Sequence, residues 1–174
     1  DTDGSVTYTI DFDDSAGNSG TQVTSGSGSV TIDNSHPSIT SVTFDSGDYV
    51  NDAEDDSAID LVIETSGAED GETVTATLNS ADYTCSLSSN TCTASITSVG
   101  LQALTSGTSY SFSVAVSDTA GNAATPHTSE SFTYDSGAPS ITISSTTVDS
   151  GDTSNDGSIA LSFVSDESTS DFES

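Results

Sequence analysis

The chain has 174 residues and contains no Lys, no Arg, no Trp and no Met. Against this stand 28 Asp plus Glu, for a formal charge of −28. Each absence removes a class of function. Without basic side chains there is nothing to neutralise phosphates, so nucleic acid is excluded as a partner. Nor is there a polybasic patch for anionic lipid. The lysine and arginine chemistry of phosphoryl transfer and Schiff bases is missing too. Side-chain ion pairs can form only through two His residues. The carboxylates are left to be balanced by solvent ions, a bound metal or a cationic partner. No apolar run reaches the roughly 20 residues of a membrane span, so direct membrane insertion is not expected. Apolar residues make up 31%, low enough for the charge–hydropathy pattern of disorder to compete with a folded reading.

What is present argues for β-structure. Ser and Thr supply 64 of the residues, and Val, Ile, Phe and Tyr alternate among them as on half-buried strands. The pattern also repeats. Val6, Tyr8, Ile10 and Phe12 precede Asp14-Ser15-Ala16-Gly17-Asn18; Tyr110, Phe112, Val114 and Val116 precede Asp118-Thr119-Ala120-Gly121-Asn122, at an offset of 104. Ser29–Asp33 with Pro37 matches Ser131–Asp135 with Pro139. Asp45-Ser46-Gly47-Asp48 with Asn51-Asp52 matches Asp149-Ser150-Gly151-Asp152 with Asn155-Asp156. Blocks in one order, with small insertions or deletions between them, mark a tandem repeat of about 102–104 residues. The boundaries follow: 1–34 is the C-terminal part of one repeat, 35–137 a complete one, and 138–174 the N-terminal part of a third. The chain therefore reads as a segment of a longer array.

The complete repeat predicts seven strands, around Val42–Phe44, Ile59–Ile63, Val74–Leu78, Tyr83–Leu87, Cys92–Ile96, Tyr110–Val116 and Phe132–Tyr134. Seven short alternating strands in about 100 residues is the expectation for a Greek-key, immunoglobulin-like β-sandwich. Leu104, Gly107 and Tyr110 have the spacing of a tyrosine corner, in which the Tyr hydroxyl ties back to upstream backbone. A two-residue turn at Ser88-Ser89 would set Cys85 directly opposite Cys92, predicting a cross-strand disulfide and an oxidising compartment.

With Val116–Asn122, the tyrosine corner and the linker Tyr134-Asp135-Ser136-Gly137-Ala138-Pro139 in hand, the chain resembles the tandem bacterial-type immunoglobulin-like repeats of large extracellular adhesins and surface fibres. The resemblance implies a non-catalytic structural segment, outside the cell or on a cell or virion surface, whose partners are neighbouring repeats of the same or identical chains. A cell-surface or glycan ligand would be bound elsewhere in the protein. It also implies Ca²⁺ at the domain junctions, with Asp33 and Asp118 carried over as ligands and Asp14 and Asp135 as their counterparts in adjoining repeats. Asp45, Asp48 and Asp52, with Asp149, Asp152 and Asp156, join the candidates through repetition and charge density, because oxygen-only clusters suit Ca²⁺. Sandwich topology sends the Asp45–Asp56 loop towards the Asp135 linker, and the Asp118 turn with the Glu69-Asp70 connection towards the Asp33 linker. The same Asp residues also serve as plain turn formers on a solvated acidic surface.

Two further readings stay open. One is a filament subunit assembled by strand addition. The other is a ligand- or carbohydrate-binding module, with Tyr49 and Tyr83 as small stacking surfaces. Catalysis finds no motif: His36 and His127 lack Cys or Ser partners, and no nucleophile elbow is present.

Overall fold

The structure, a computed structural model, describes residues 2–25 and 30–168. They form two compact units, Asp1–Asp135 and Ser136–Ser174. Almost all regular structure is β.

Four short strands open the chain: β1 (Gly4–Ser5), β2 (Thr9–Ile10), β3 (Val23–Thr24) and β4 (Thr31–Ile32). β1 pairs with β4 and β2 with β3, so residues 4–12 run antiparallel to residues 20–25 and 30–32 as one interrupted hairpin. Its apolar side chains Val6, Tyr8, Ile10 and Phe12 lie exposed.

The central sandwich contains β5 (Ser38–Phe44), β6 (Tyr49–Asn51), β7 (Ile59–Ser66), β8 (Thr73–Leu78), β9 (Ala81–Ser86), β10 (Thr91–Ile96), helix α1 (Ser98–Gln102), β11 (Thr108–Tyr110), β12 (Ser113–Ala115), β13 (His127–Thr128) and β14 (Phe132–Asp135). One sheet has the order β10-β7-β5. The facing layer is β13-β12-β8-β9, continued by β11-β14-β6. This is an immunoglobulin-like β-sandwich. Strand alternation decides its core: Leu61 and Ile63 from one layer meet Val74, Ala76, Phe112 and Val114 from the other, all fully buried. Phe44, Phe112 and Phe132 form a ring cluster with centroids 4.8–5.8 Å apart. In the second unit, β15 (Ile141–Ser145) pairs with β16 (Leu161–Ser165). Ile141, Ile143, Leu161 and Phe163 are exposed there.

Four details differ from the sequence expectation. The sixth strand is split: β11 pairs with β14 and β12 with β8. Between them Phe112 exchanges bonds with Ser129, whose Oγ accepts the Phe112 N–H and whose N–H donates to the Phe112 carbonyl. The seventh strand is found as predicted, within β14, and the short β13 precedes it beside β12. A short parallel strand, β6, sits inside the acidic loop, where three residues are too few to show alternation. Helix α1 was not expected either. Thr97 caps it by accepting the Gly100 N–H, and Gly100 leaves room for the Tyr83 hydroxyl, which a Cβ would strike at 1.8 Å.

The fourth correction concerns the disulfide. Cys85 and Cys92 are bonded, with Cα atoms 5.7 Å apart. The turn residues, however, are Ser89 and Asn90, since Ser88 bridges Thr91. Both turn residues take positive φ. β9 and β10 then diverge into opposite layers, so the bond joins the edges of two sheets rather than two strands of one.

The tyrosine corner is formed as expected: the Tyr110 hydroxyl accepts the Thr105 N–H at 2.9 Å. Tyr110→Phe should lower stability by about 1 kcal/mol, read from the urea midpoint. An unchanged midpoint would show the corner to be ornamental.

Candidate functional site

The acidic ends of the central sandwich are built by its loops. At one end three segments meet: the linker Asp33–Pro37, the connection Gly67–Glu72 and the turn Asp118–Ala123. The turn follows from its sequence. Gly121 sits at φ +93°, a region L-residues avoid, and lets the chain reverse within five residues. Asp118, 4% exposed, closes it: Oδ1 accepts the Asn122 N–H at 2.7 Å and Oδ2 accepts the Asn122 side-chain amide at 2.9 Å. The Asn122 amide also donates to the Asp33 carbonyl at 3.1 Å. Beside it, His36 Nδ1 donates to the Ala123 carbonyl at 2.9 Å. From the other side, Asp3 of the opening hairpin accepts the Asn34 N–H at 2.8 Å and the Ser35 hydroxyl. The linker is thus held by both of its neighbours. Glu69 and Glu72 reach over the turn, both accepting from the Thr119 hydroxyl, at 3.2 and 2.9 Å.

The same turn recurs at Asp14, which accepts the Ala16 and Asn18 N–H groups and the Asn18 amide. These bonds set the charge state. Burial acts to raise the Asp118 carboxyl, but the Asn122 side chain and the N–H groups of Asn122, Gly121 and Ala120 outweigh it and hold it below 3.8. Asp14 is held low by the Asn18 side chain and backbone. Asp3 is held low by Ser35 and the Asn34 N–H. A carboxyl depressed on folding stabilises the fold at pH above its ordinary value and loses that contribution as pH falls through the lower, folded value. These turns should therefore persist through pH 4 and open only in stronger acid. A carboxyl-carbon NMR titration should give Asp118 a midpoint below 3.8, moving up in Asn122→Ala; an unmoved midpoint would break the assignment.

At the other end, the Asp45–Asp56 carboxylates fall into separate small groups. Asp45 lines a shallow recess of about 360 Å³ with Glu54 and Asp60. The Asp48 carbonyl accepts the Thr133 N–H, and Asp52 is exposed. Asp55 is buried; it accepts the Tyr134 hydroxyl and, at 3.3 Å, the Gln102 amide. Asp135 pairs in register with Asn51 and accepts the Ser106 hydroxyl, so this loop and the Asp135 linker do share an end. In the second unit, Asp149 and Asp152 close one turn on each other, while Asp156 accepts from Ser154.

Of the candidate ligands, then, Asp33 and Asp118 are brought together through Asn122, and Asp149 with Asp152. Asp14 closes its own turn and Asp135 ends β14 beside Asn51, while Asp45, Asp48 and Asp52 have different surroundings. Among the described residues no three His, Cys, Asp or Glu side chains are grouped as a metal site. The sequence reading passed over Glu72, and it took Asn122 as part of a turn motif without its cross-link to Asp33. Tyr49 on β6 and Tyr83 on β9 lie on separate strand groups, and Tyr83 is half-buried, so they make no shared stacking platform. Among the described residues no helix is long and apolar enough to cross a membrane.

No family model and no curated protein matches the chain. Among solved structures it is similar to a 1.5-MDa bacterial ice-binding adhesin, at 26% identity over 76% of this chain and 42% of that one, with a TM-score of 0.42. It is also similar to a Ca²⁺-stabilized adhesin with which an Antarctic bacterium reaches out and binds ice: 24% identity, 81% and 35% covered, TM-score 0.41. A bacterial immunoglobulin-like domain from the M. primoryensis ice-binding adhesin is matched at 24% identity, over 57% of this chain and 94% of that one, with a TM-score of 0.40. The chain spans less than half the length of the first two.

Proposed function

We propose that this chain is a structural, non-catalytic segment of an extracellular fibre, stalk or adhesin, in which immunoglobulin-like repeats are spaced by clamped linkers and stiffened by Ca²⁺ at their junctions. One observation carries the reading: the linker Asp33–Pro37 is bonded on one side to Asp3 and on the other to Asn122 and Ala123. A linker held on both sides transmits orientation between repeats, which a flexible tether does not. A non-catalytic role agrees with the two Cys being bonded to each other and His36 being committed to a backbone carbonyl.

The donors at this junction suit Ca²⁺ chemically. They are carboxylate and carbonyl oxygens only, and the chain has no Lys or Arg to neutralise them. Asp33, Asp118, Glu69 and Glu72 border the junction without being grouped as a site, so the ion would have to draw them together; Asp118 would contribute lone pairs its turn leaves free. The ion would supply charge neutralisation and a bridge between the linker and the sandwich. Extracellular modules bind Ca²⁺ with Kd of roughly 10⁻⁴–10⁻³ M. At about 10 mM Ca²⁺ and a Kd of about 1 mM, linkage adds about 1.4 kcal/mol. Calorimetry of the chain should therefore show a melting temperature raised by Ca²⁺, restored by EDTA, and insensitive to Ca²⁺ in Glu69→Gln/Glu72→Gln. Identical melting with Ca²⁺ and with EDTA would remove the ion from the proposal. The stalk reading is tested separately, by the intact mass of native material, expected far above that of 174 residues.

A further inference from the structure

The two ends of the chain carry counterparts of the two sides of one contact, and the central sandwich shows that contact assembled. There Leu61 and Ile63 of β7 pack across the layers against Phe112 and Val114, all 0% exposed. Tyr8 and Ile10 stand 104 residues before Phe112 and Val114, on the β1–β4 hairpin. Leu161 and Phe163 stand 100 residues after Leu61 and Ile63, on β16. The repeat therefore sets one side of the layer contact at the N-terminal hairpin and the other on the C-terminal strand pair.

Both sides face water: Tyr8 is 49% exposed, Ile10 53% and Leu161 56%. Cross-strand neighbours widen each face. Val23 lies opposite Ile10 at 47% exposure, and Ile143 opposite Phe163 at 61%. Broad exposed apolar faces on a soluble chain mark association surfaces. Each copy carries a charge of −28 and repels the next. Apolar contact must then supply the attraction, and screening by salt must assist it.

We propose that the β15–β16 pair of one copy of this chain packs on the β1–β4 hairpin of a second copy, rebuilding between molecules the layer contact of the central sandwich. The occupant is a second copy because the chain itself holds the complementary side, in a pairing its own centre displays. The two faces differ, so the contact is heterologous and propagates head to tail. The joint has no counterparts of β8, β9 and β10, whose Val74, Ala76 and Ile96 complete the central core. It would bury on the order of 1,000 Å², the low end of a specific interface, with a Kd of about 10–100 µM. The inference concerns the 174-residue chain and does not rest on the stalk reading, so the intact mass that tests that reading leaves it untouched.

The test is sedimentation of the 174-residue chain from roughly 10 to 500 µM, a range that spans this Kd. The weight-average mass should climb past two chains with concentration, and climb further in about 0.5 M than in about 0.05 M NaCl. Ile10→Asp blocks one face and Leu161→Asp the other. Each variant alone should stay monomeric, and an equimolar mixture of the two should form dimers and nothing larger. The mixture uses only the unaltered face of each variant, so an altered hairpin that fails to fold does not spoil the result. A wild-type chain that stays monomeric throughout overturns the proposal. Self-association of either variant alone at wild-type strength overturns it too, by showing a like-with-like contact. So does a mixture that stays monomeric, or association that weakens as salt rises.

Discussion

Replacing Phe112 by Ala should lower the stability of the central sandwich by about 3–5 kcal/mol, the loss typical of a buried aromatic side chain. Phe112 has no exposed surface, and its ring lies 5.1 Å from Phe44 and 5.8 Å from Phe132. It also stands at the break between β11 and β12, where its backbone is tied to Ser129. The cavity left by the side chain would open between the two sheets at a point already held by one strand crossing rather than a continuous ladder. Domains of this size are stable by only about 5–15 kcal/mol, and this chain has just 31% apolar residues with which to reach that range. The loss should show as a large drop in urea midpoint with an unchanged slope. The matched control is internal. Tyr8 occupies the same repeat position, 104 residues earlier, but is 49% exposed. Tyr8→Ala should cost under about 1 kcal/mol. Equal losses at the two positions would mean that burial does not decide their contributions.

That pair of positions also shows what sequence can and cannot reveal. The alternation of Tyr110, Phe112, Val114 and Val116 identifies a strand with one apolar face, and the structure buries that face almost completely. The same alternation at Val6, Tyr8, Ile10 and Phe12 forms the same kind of hairpin, yet leaves it exposed. Periodicity reports which side is apolar, not whether anything covers it. The tyrosine corner and the Asp118 turn were legible because each is a local device, closed within five residues by its own side chain. β6 was not legible, because its three residues gain their strand geometry from β14, more than eighty positions away. Asp55 was visible only as one carboxylate among six in its loop. Its burial against Tyr134 and Gln102 depends on three segments meeting at one end of the sandwich. Density along the chain is not density in space: Asp45 and Glu54 share one recess, while Asp55 is buried against Tyr134.

Reduction of the Cys85–Cys92 bond should lower stability by about 2.5 kcal/mol on the chain-entropy model for a loop of about eight residues. At about 4–8 °C per kcal/mol for a domain of this length, the melting temperature should fall by roughly 10–20 °C. The position of the bond gives this a structural meaning beyond loop length. β9 is the outer strand of one layer and β10 the outer strand of the other, with no ladder between them. The disulfide is the covalent tie across that open side, whereas the opposite side is bridged by β6 pairing with β14. Without the bond, both edges would be free to separate at their Ser89-Asn90 arch, where the backbone already takes positive φ at two non-glycine residues. Cys85→Ala/Cys92→Ala should therefore still fold, since Leu87, Ala94 and Ile96 remain to pack that edge. It should melt early and show faster amide exchange in β9 and β10 than in β7 or β8. Exchange that rises uniformly through the sandwich would assign the bond to the unfolded state alone. Melting that reductant leaves unchanged would show that the two edges hold each other without it.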